Sequence, residues 1–159
     1  MRVGTGYDSH RFDANRALVL GGVHIPEHRG LSGHSDGDAV AHAVIDAVLG
    51  AAAAGDVGSH FPPSDETWKG ADSILLLEKS VDLLRAEGWR VVNVDVTVVC
   101  ETPKIAPYAR RMRERLATPL GVSAAAVSIK GKTNEGMGWI GEGEGIAVHA
   151  VALIERRTT

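Results

Sequence analysis

The chain is 159 residues long, about one domain, and its 44% hydrophobic and 23% charged residues exclude a disordered, collagen-like or coiled-coil protein. Seventeen Lys and Arg against 20 Asp and Glu give a net charge of −3, which argues against a broad basic face for nucleic acid. The single cysteine, Cys100, excludes an internal disulfide framework, and neither residues 1–20 nor the apolar run 39–54 has the character of a signal peptide or a membrane span, so a cytoplasmic chain without a membrane partner is expected.

Residues 2–7 read as a short opening strand. Residues 17–20 and 23–25 read as a hairpin, because Gly21-Gly22 supplies the positive φ of a two-residue turn, and Pro26 ends it. Ser35 or Asp36 can cap a helix over about 38–52, where nearly every residue is Ala, Val, Ile or Leu, so the helix is buried on most sides. Residues 55–70 form a long loop with few apolar anchors, a length that marks function or mobility. The spacing of Ile74, Leu75, Leu77, Val81, Leu83 and Leu84 predicts a helix over 71–87, closed by Gly88. The β-branched run 89–100 is a strand. Pro103 and Pro107 introduce a helix over 105–118, whose arginines (Arg110, Arg111, Arg113, Arg115) read as a solvated face. Strands over 126–132 and 145–156, separated by a glycine-rich loop, complete an α+β fold, a two-layer α/β sandwich with a single mixed sheet covered by helices, in one domain spanning 1–159.

Asp8 and His10, two apart on a strand, share a face while Ser9 turns away, which is the spacing a metal needs. Asp38, His42 and Asp46 recur at i, i+4 and i+8, a polar stripe along an apolar helix that demands partners. If the strand end meets this helix, Asp8, His10 and His42 make a two-histidine, one-carboxylate set suited to zinc, with Asp46 or Asp38 orienting the His42 ring. The same spacing fits a core histidine bonded to Asp46, with Asp8 and His10 solvated at a strand end. His34 to Asp38 precede the helix and read either as an anion site at its N-terminus, with His34 as an added donor, or as a capping sequence. Lys130 to Gly136 combine two lysines, a hydroxyl and flexible backbone, as a phosphate cradle would, and Glu135 beside phosphate calls for a hard cation; a tight loop needing positive φ is the alternative. Cys100 lacks an activating base and reads as a small buried hydrophobe.

Taken in order, Gly-Tyr-Asp-Ser-His (6–10), Gly-Gly-Val-His-Ile-Pro (21–26), His-Ser-Asp-Gly-Asp (34–38), Gly-Asp-Val-Gly (55–58), His-Phe-Pro-Pro-Ser-Asp (60–65), Lys-Gly-Ala-Asp-Ser (69–73), Asn-Val-Asp-Val-Thr (93–97), Thr-Asn-Glu (133–135) and Gly-Glu-Gly-Ile-Ala (143–147) lie along essentially the whole chain. The chain resembles the 2-C-methyl-D-erythritol 2,4-cyclodiphosphate synthase family of the non-mevalonate isoprenoid pathway. The resemblance implies that Asp8, His10 and His42 hold zinc, that His34 and Thr133 stabilise the transition state, and that Glu135 helps hold magnesium or manganese on a diphosphate. It implies that Ser35, Phe61, Pro62, Pro63, Ser64 and Asp65 contact a methylerythritol phosphate, and that Asp56 and Gly58 meet a ribose. Cytosine and its phosphate would lie against Cys100, Glu101, Thr102, Pro103, Lys104, Ile105, Ala106, Lys132 and Thr133, with Asn134 and Trp139 also among the substrate-binding residues.

The resemblance further implies a homotrimer with sites between adjacent subunits. The implied substrate is 4-diphosphocytidyl-2-C-methyl-D-erythritol 2-phosphate, whose 2-phosphate attacks the β-phosphorus and expels CMP without a protein nucleophile. Glu142 stands where many members carry Arg, and three symmetry-related glutamates would repel an isoprenoid diphosphate on the trimer axis. A zinc-dependent phosphohydrolase and a non-catalytic trimeric nucleotide- or metal-binding module are the alternatives.

Overall fold

The computed structural model describes residues 1–157. Five strands, β1 (Arg2–Leu20), β2 (Val23–Leu31), β3 (Trp89–Val99), β4 (Val127–Lys132) and β5 (Gly145–Arg156), form one sheet in the order β2-β1-β5-β3-β4. Neighbours are antiparallel except β3 and β4, which run parallel and are joined through α4 (Ala106–Leu120). The helices α1 (Ala39–Ala52), α3 (Ser73–Ala86) and α4 cover one face, so the expected α+β arrangement with a mixed sheet is observed.

Strand alternation separates the two faces. On β5, Ile146, Val148, Ala150, Ala152 and Ile154 are buried under the helices. The alternate residues of β1 and β5 point away, leaving Val3, Tyr7 and Val151 at 67%, 52% and 42% exposure.

The tightest packing is between α1 and β1. A Cβ at Gly6 would lie 1.9 Å from the Ala43 carbonyl oxygen, and one at Gly4 would lie 2.2 Å from that of Ala47. On the helix side the contact stripe is Ala39, Ala43, Ala47 and Ala51, four apart and all buried. Small residues on both elements therefore let helix backbone rest on strand backbone.

Several boundaries differ from the sequence expectation. β1 does not stop at residue 7: residues 2–11 pair with β5, and residues 12–20 pair with β2 after a register shift between Asp13 and Ala17. Pro26 does not end β2, because β2 is an edge strand and the absent N–H breaks no ladder. The turn itself is as expected, with Gly21 and Gly22 at φ 57° and 69°. The cap of α1 is Asp38 rather than Ser35 or Asp36. Its fully buried carboxylate accepts the N–H groups of Gly21 (2.8 Å), Gly22 (2.6 Å) and Ala41 (3.0 Å), tying the hairpin tip to the helix start. Burial, reinforced by the nearby Asp36 charge, pushes the Asp38 pKa up to about 6 despite those donors.

The 55–70 segment is not featureless. It holds α2 (Val57–His60) and a 3₁₀ turn (Glu66–Trp68), capped by Asp56 and Asp65. Within the glycine-rich loop lies another short helix, α5 (Gly138–Gly141).

Gly6→Ala tests the helix seat. The added methyl has only backbone to push against, so a loss of about 3 kcal/mol or more is expected in urea denaturation. A loss below about 1 kcal/mol would mean that α1 is not held this close.

Candidate active site

Asp8 and His10 project from β1 toward the helices, opposite Val148 and Ile146. Because Gly6 meets Ala43, the preceding helix residue, His42, is carried over Asp8. Asp8 Oδ2 lies 2.8 Å from His10 Nε2 and 3.0 Å from His42 Nδ1. The three groups can each offer one ligand atom, all within 4.8 Å of one another.

The hydrogen bonds behind the rings say which nitrogens face inward as lone pairs. His10 Nδ1 sits against the Ser32 carbonyl oxygen, which can only accept, so the neutral ring carries its proton on Nδ1 and turns bare Nε2 toward Asp8. Burial raises the cost of charge on Asp8, but its interactions with the His10 and His42 rings outweigh it and hold the carboxyl below its usual range. Burial likewise opposes charge on His42, and Asp8 overcomes it to raise that pKa. Two imidazole nitrogens converge on one carboxylate oxygen, and the donor set fits a divalent metal.

The expected role of Asp46 is corrected. Asp46 Oδ1 accepts the Val57 N–H at 2.8 Å and anchors α2, while the His42 ring bonds to Asp8, Ser35 and Ser73. Asp38 is also spent elsewhere, on the hairpin turn. A spacing of four places residues on one helix face but does not choose their partners.

Beside the triad is a cleft of about 230 Å³ lined by Asp8, His10, His34, Ser35, His42, Val57, Gly58, Phe61, Pro63, Trp68 and Leu76. His34 Nε2 is buried with no hydrogen-bond partner among the described residues. Its segment is fixed on both sides: Arg16 donates to the carbonyls of Gly33 and Ser35, and the Gly70 N–H donates to His34 O at 2.9 Å. Phe61 packs edge-on against Trp68 with ring centroids 5.0 Å apart. Pro62, Ser64 and Asp65 are outside this lining, as is Asp56, whose carboxylate is engaged by Ser59.

A second cleft, about 220 Å³, is lined by Cys100, Glu101, Pro103, Lys104, Ile105, Ala106, Gly131, Lys132 and Thr133. Thr102 is outside the lining and bonds to His28 Nε2 at 3.1 Å. Glu101 Oε1 accepts the N–H groups of Asn134 (2.9 Å) and Gly136 (3.3 Å), pinning the loop on which Thr133 Oγ1 donates to Glu135 Oε1 at 3.0 Å. Lys130 is occupied by Asp95 at 2.5 Å. Burial, with help from Glu101, pushes the Cys100 thiol up to about 11, so it is the inert core residue expected. Trp139 lines neither cleft but a hollow with Ser9, His10, Arg11 and Glu144, which shares His10 with the first cleft. The two clefts share no residue.

The model of the YgbB family matches residues 1–155. The chain belongs to the YgbB family. A 2-C-methyl-D-erythritol 2,4-cyclodiphosphate synthase of Symbiobacterium thermophilum is 58% identical over 157 residues, 99% of this chain and 100% of the relative. The bifunctional IspDF of Campylobacter jejuni is similar with a TM-score of 0.94 and 37% identity over 98% of this chain, which spans 42% of that longer protein. A CDP complex of IspF from Plasmodium falciparum gives a TM-score of 0.86 and 32% identity over 99% of this chain and 97% of its own.

Sequence reasoning missed Arg16, Ser32, Asp36 and Ser73, all of which act behind the site. Asp36 and Ser73 lie within quoted motif words and Arg16 and Ser32 outside them, but polarity along the chain names no partner.

For this YgbB-family chain, metal binding must displace the proton that Asp8 stabilises on His42. With the His42 pKa raised, zinc affinity is expected to fall as pH drops through and below that pKa, by about tenfold per unit for each proton displaced. Calorimetric zinc titrations in buffers of different ionisation enthalpy read this directly. Equal affinity across that range would refute the triad as the site.

Proposed function

We propose that this YgbB-family chain converts 4-diphosphocytidyl-2-C-methyl-D-erythritol 2-phosphate into 2-C-methyl-D-erythritol 2,4-cyclodiphosphate and CMP. The observation that carries this reading is the Asp8–His10–His42 triad opening onto the His34 and Ser35 cleft. Support comes from the 58% identity to a synthase named for that product.

In the reaction an oxygen of the 2-phosphate bonds to the β-phosphorus, and the bond from that phosphorus to the oxygen bridging the α-phosphorus breaks. The bridging oxygen leaves with CMP, and no water is consumed. The substrate brings its own anionic nucleophile, so the chain's task is to align two phosphates and offset their repulsion. His34 fits this task, since its buried, unpartnered Nε2 can donate to a phosphate oxygen. Ser35 and Thr133 offer hydroxyls, and Lys104 and Lys132 offer charge, at the two clefts. Zinc on Asp8, His10 and His42, and magnesium or manganese beside Glu135, would supply further positive charge at the phosphates.

Phe61, Pro63 and the neighbouring residues Pro62, Ser64 and Asp65 would meet the methylerythritol phosphate, with Asp56 and Gly58 at the ribose. Cytosine would take the second cleft. A homotrimer is part of this reading, and two features support self-association: the clefts share no lining residue on one chain, and the uncovered sheet face exposes Val3, Tyr7 and Val151. In the proposed trimer one subunit's triad would work with its neighbour's nucleotide cleft. The reaction is placed in the cytoplasm; no helix among the described residues is long and apolar enough to cross a membrane.

Turnover is expected to give one CMP per ring-closed product, with no inorganic phosphate and no oxygen from labelled water. His42→Ala and Asp8→Ala are expected to lose about a hundredfold or more in kcat. A linear product carrying solvent oxygen would establish hydrolysis instead. Sedimentation is expected to show three chains, and Tyr7→Arg to lower both association and activity; a fully active monomer would contradict the shared site.

A further inference from the structure

The His-Ser-Asp-Gly-Asp and Lys-Gly-Ala-Asp-Ser segments meet behind His42 in a way the reaction does not use. The Asp36 N–H donates to Ala71 O at 3.2 Å, and the Gly70 N–H to His34 O at 2.9 Å, so the start of α3 is laced to the loop before α1. At that seam Ser73 is completely buried, with its hydroxyl between Asp36 and His42.

The directions of these hydrogen bonds are fixed by what each atom can do. The Asp36 carboxylate faces only donors: the N–H groups of Ser73 (3.0 Å) and Asp38 (3.0 Å), and the Ser73 hydroxyl at 2.5 Å. Ser73 has one hydroxyl hydrogen, and it goes to Asp36. Its oxygen therefore offers a lone pair to His42 Nε2, 2.9 Å away. A lone pair there requires the hydrogen to be on Nε2. Ser35 Oγ, 3.0 Å from the same nitrogen, is then also an acceptor, which frees its own hydrogen for the cleft it lines.

We infer that Asp36 and Ser73 are positioning residues, which through the chain carboxylate, hydroxyl, imidazole hold the His42 proton on Nε2 and leave Nδ1 as the metal-binding nitrogen. Without them the ring has a strong reason to turn its proton round, because Asp8 Oδ2 lies 3.0 Å from Nδ1 and accepts well. A proton on Nδ1 of the neutral ring would remove the lone pair the metal needs. The inference rests on the metal-site reading, but the ring proton can be observed without any metal.

The test is a long-range ¹H–¹⁵N correlation of the histidine rings in the full chain, zinc-free and above the His42 pKa, paired with zinc affinity from competition with a chromophoric chelator. Wild-type His42 is expected to show hydrogen on Nε2 and a bare Nδ1. In Ser73→Ala the Nδ1–H form is expected to appear and zinc binding to weaken by roughly 10- to 100-fold. Ser73→Thr, which keeps the hydroxyl, is expected to restore both. Asp36→Ala, which leaves the Ser73 hydroxyl without its acceptor and free to donate to His42 Nε2, is expected to shift the tautomer as Ser73→Ala does. A wild-type ring protonated on Nδ1 overturns the inference, and so does a folded Ser73→Ala with unchanged tautomer. If Ser73→Ala does not fold, the wild-type spectrum and Asp36→Ala still decide. Wild-type protein that binds no zinc would sink the metal reading alone.

Discussion

The seating of α1 on β1 is the constraint on which the site depends. Backbone rests on backbone at Gly4 and Gly6, with Cβ positions that would fall 2.2 Å and 1.9 Å from helix carbonyl oxygens. Such a contact has no slack, because no side chain lies between the elements to repack. It converts sequence distance into space: His42 precedes the residue that touches Gly6, and Asp8 follows Gly6 by one strand repeat. A larger residue at either glycine would lift the helix and with it the nitrogen that stands 3.0 Å from Asp8.

That seat also makes a buried polar cluster tolerable. Asp38 and Ser73 are completely buried, and Ser35 and His42 nearly so, beneath an otherwise aliphatic layer. Leaving any of them without a partner would cost about 1–3 kcal/mol. Almost all are satisfied by one another or by backbone: Asp38 by the hairpin turn, Asp36 by Ser73, His42 by two hydroxyls and a carboxylate. His34 Nε2 is the exception. In a network so fully paired, an atom left over at the cleft is where a ligand's oxygen gains most. The net charge of −3 describes the outer surface and is silent about this interior arrangement.

How much was legible in the sequence follows from the range of each signal. Asp8 and His10 could be placed on one face because a strand repeats every two residues, and the Gly21-Gly22 turn because few other residues take positive φ there. The meeting with His42 was legible only as a condition, since spacing within a helix says nothing about where that helix docks. Asp46 shows the failure in its plainest form. It has the right spacing from His42, and it serves α2 instead, because the 55–70 segment folds back within reach of its carboxylate. The capping aspartates Asp56 and Asp65 did encode short helical turns in that segment, but turns of three or four residues carry too little periodicity to be seen. Pro26 was misjudged because a proline stops a central strand and not an edge one, and edge status is a property of the whole sheet.

The second cleft is a different case. The pattern of 130–136 offered a phosphate cradle only beside a tight loop as the alternative, and the proposed role of the cleft as a whole comes through family membership. What the structure adds is the separation. The two clefts have no residue in common, and the triad is locked by the helix seat, while the Thr133 loop is pinned by Glu101. For a reaction that must hold attacking and leaving phosphates in line, the proposed neighbouring copy would supply the second half-site, and the sheet face that exposes Val3 and Tyr7 is where the proposal seats it. Under the proposed reading, assembly would therefore be a condition of chemistry rather than of stability.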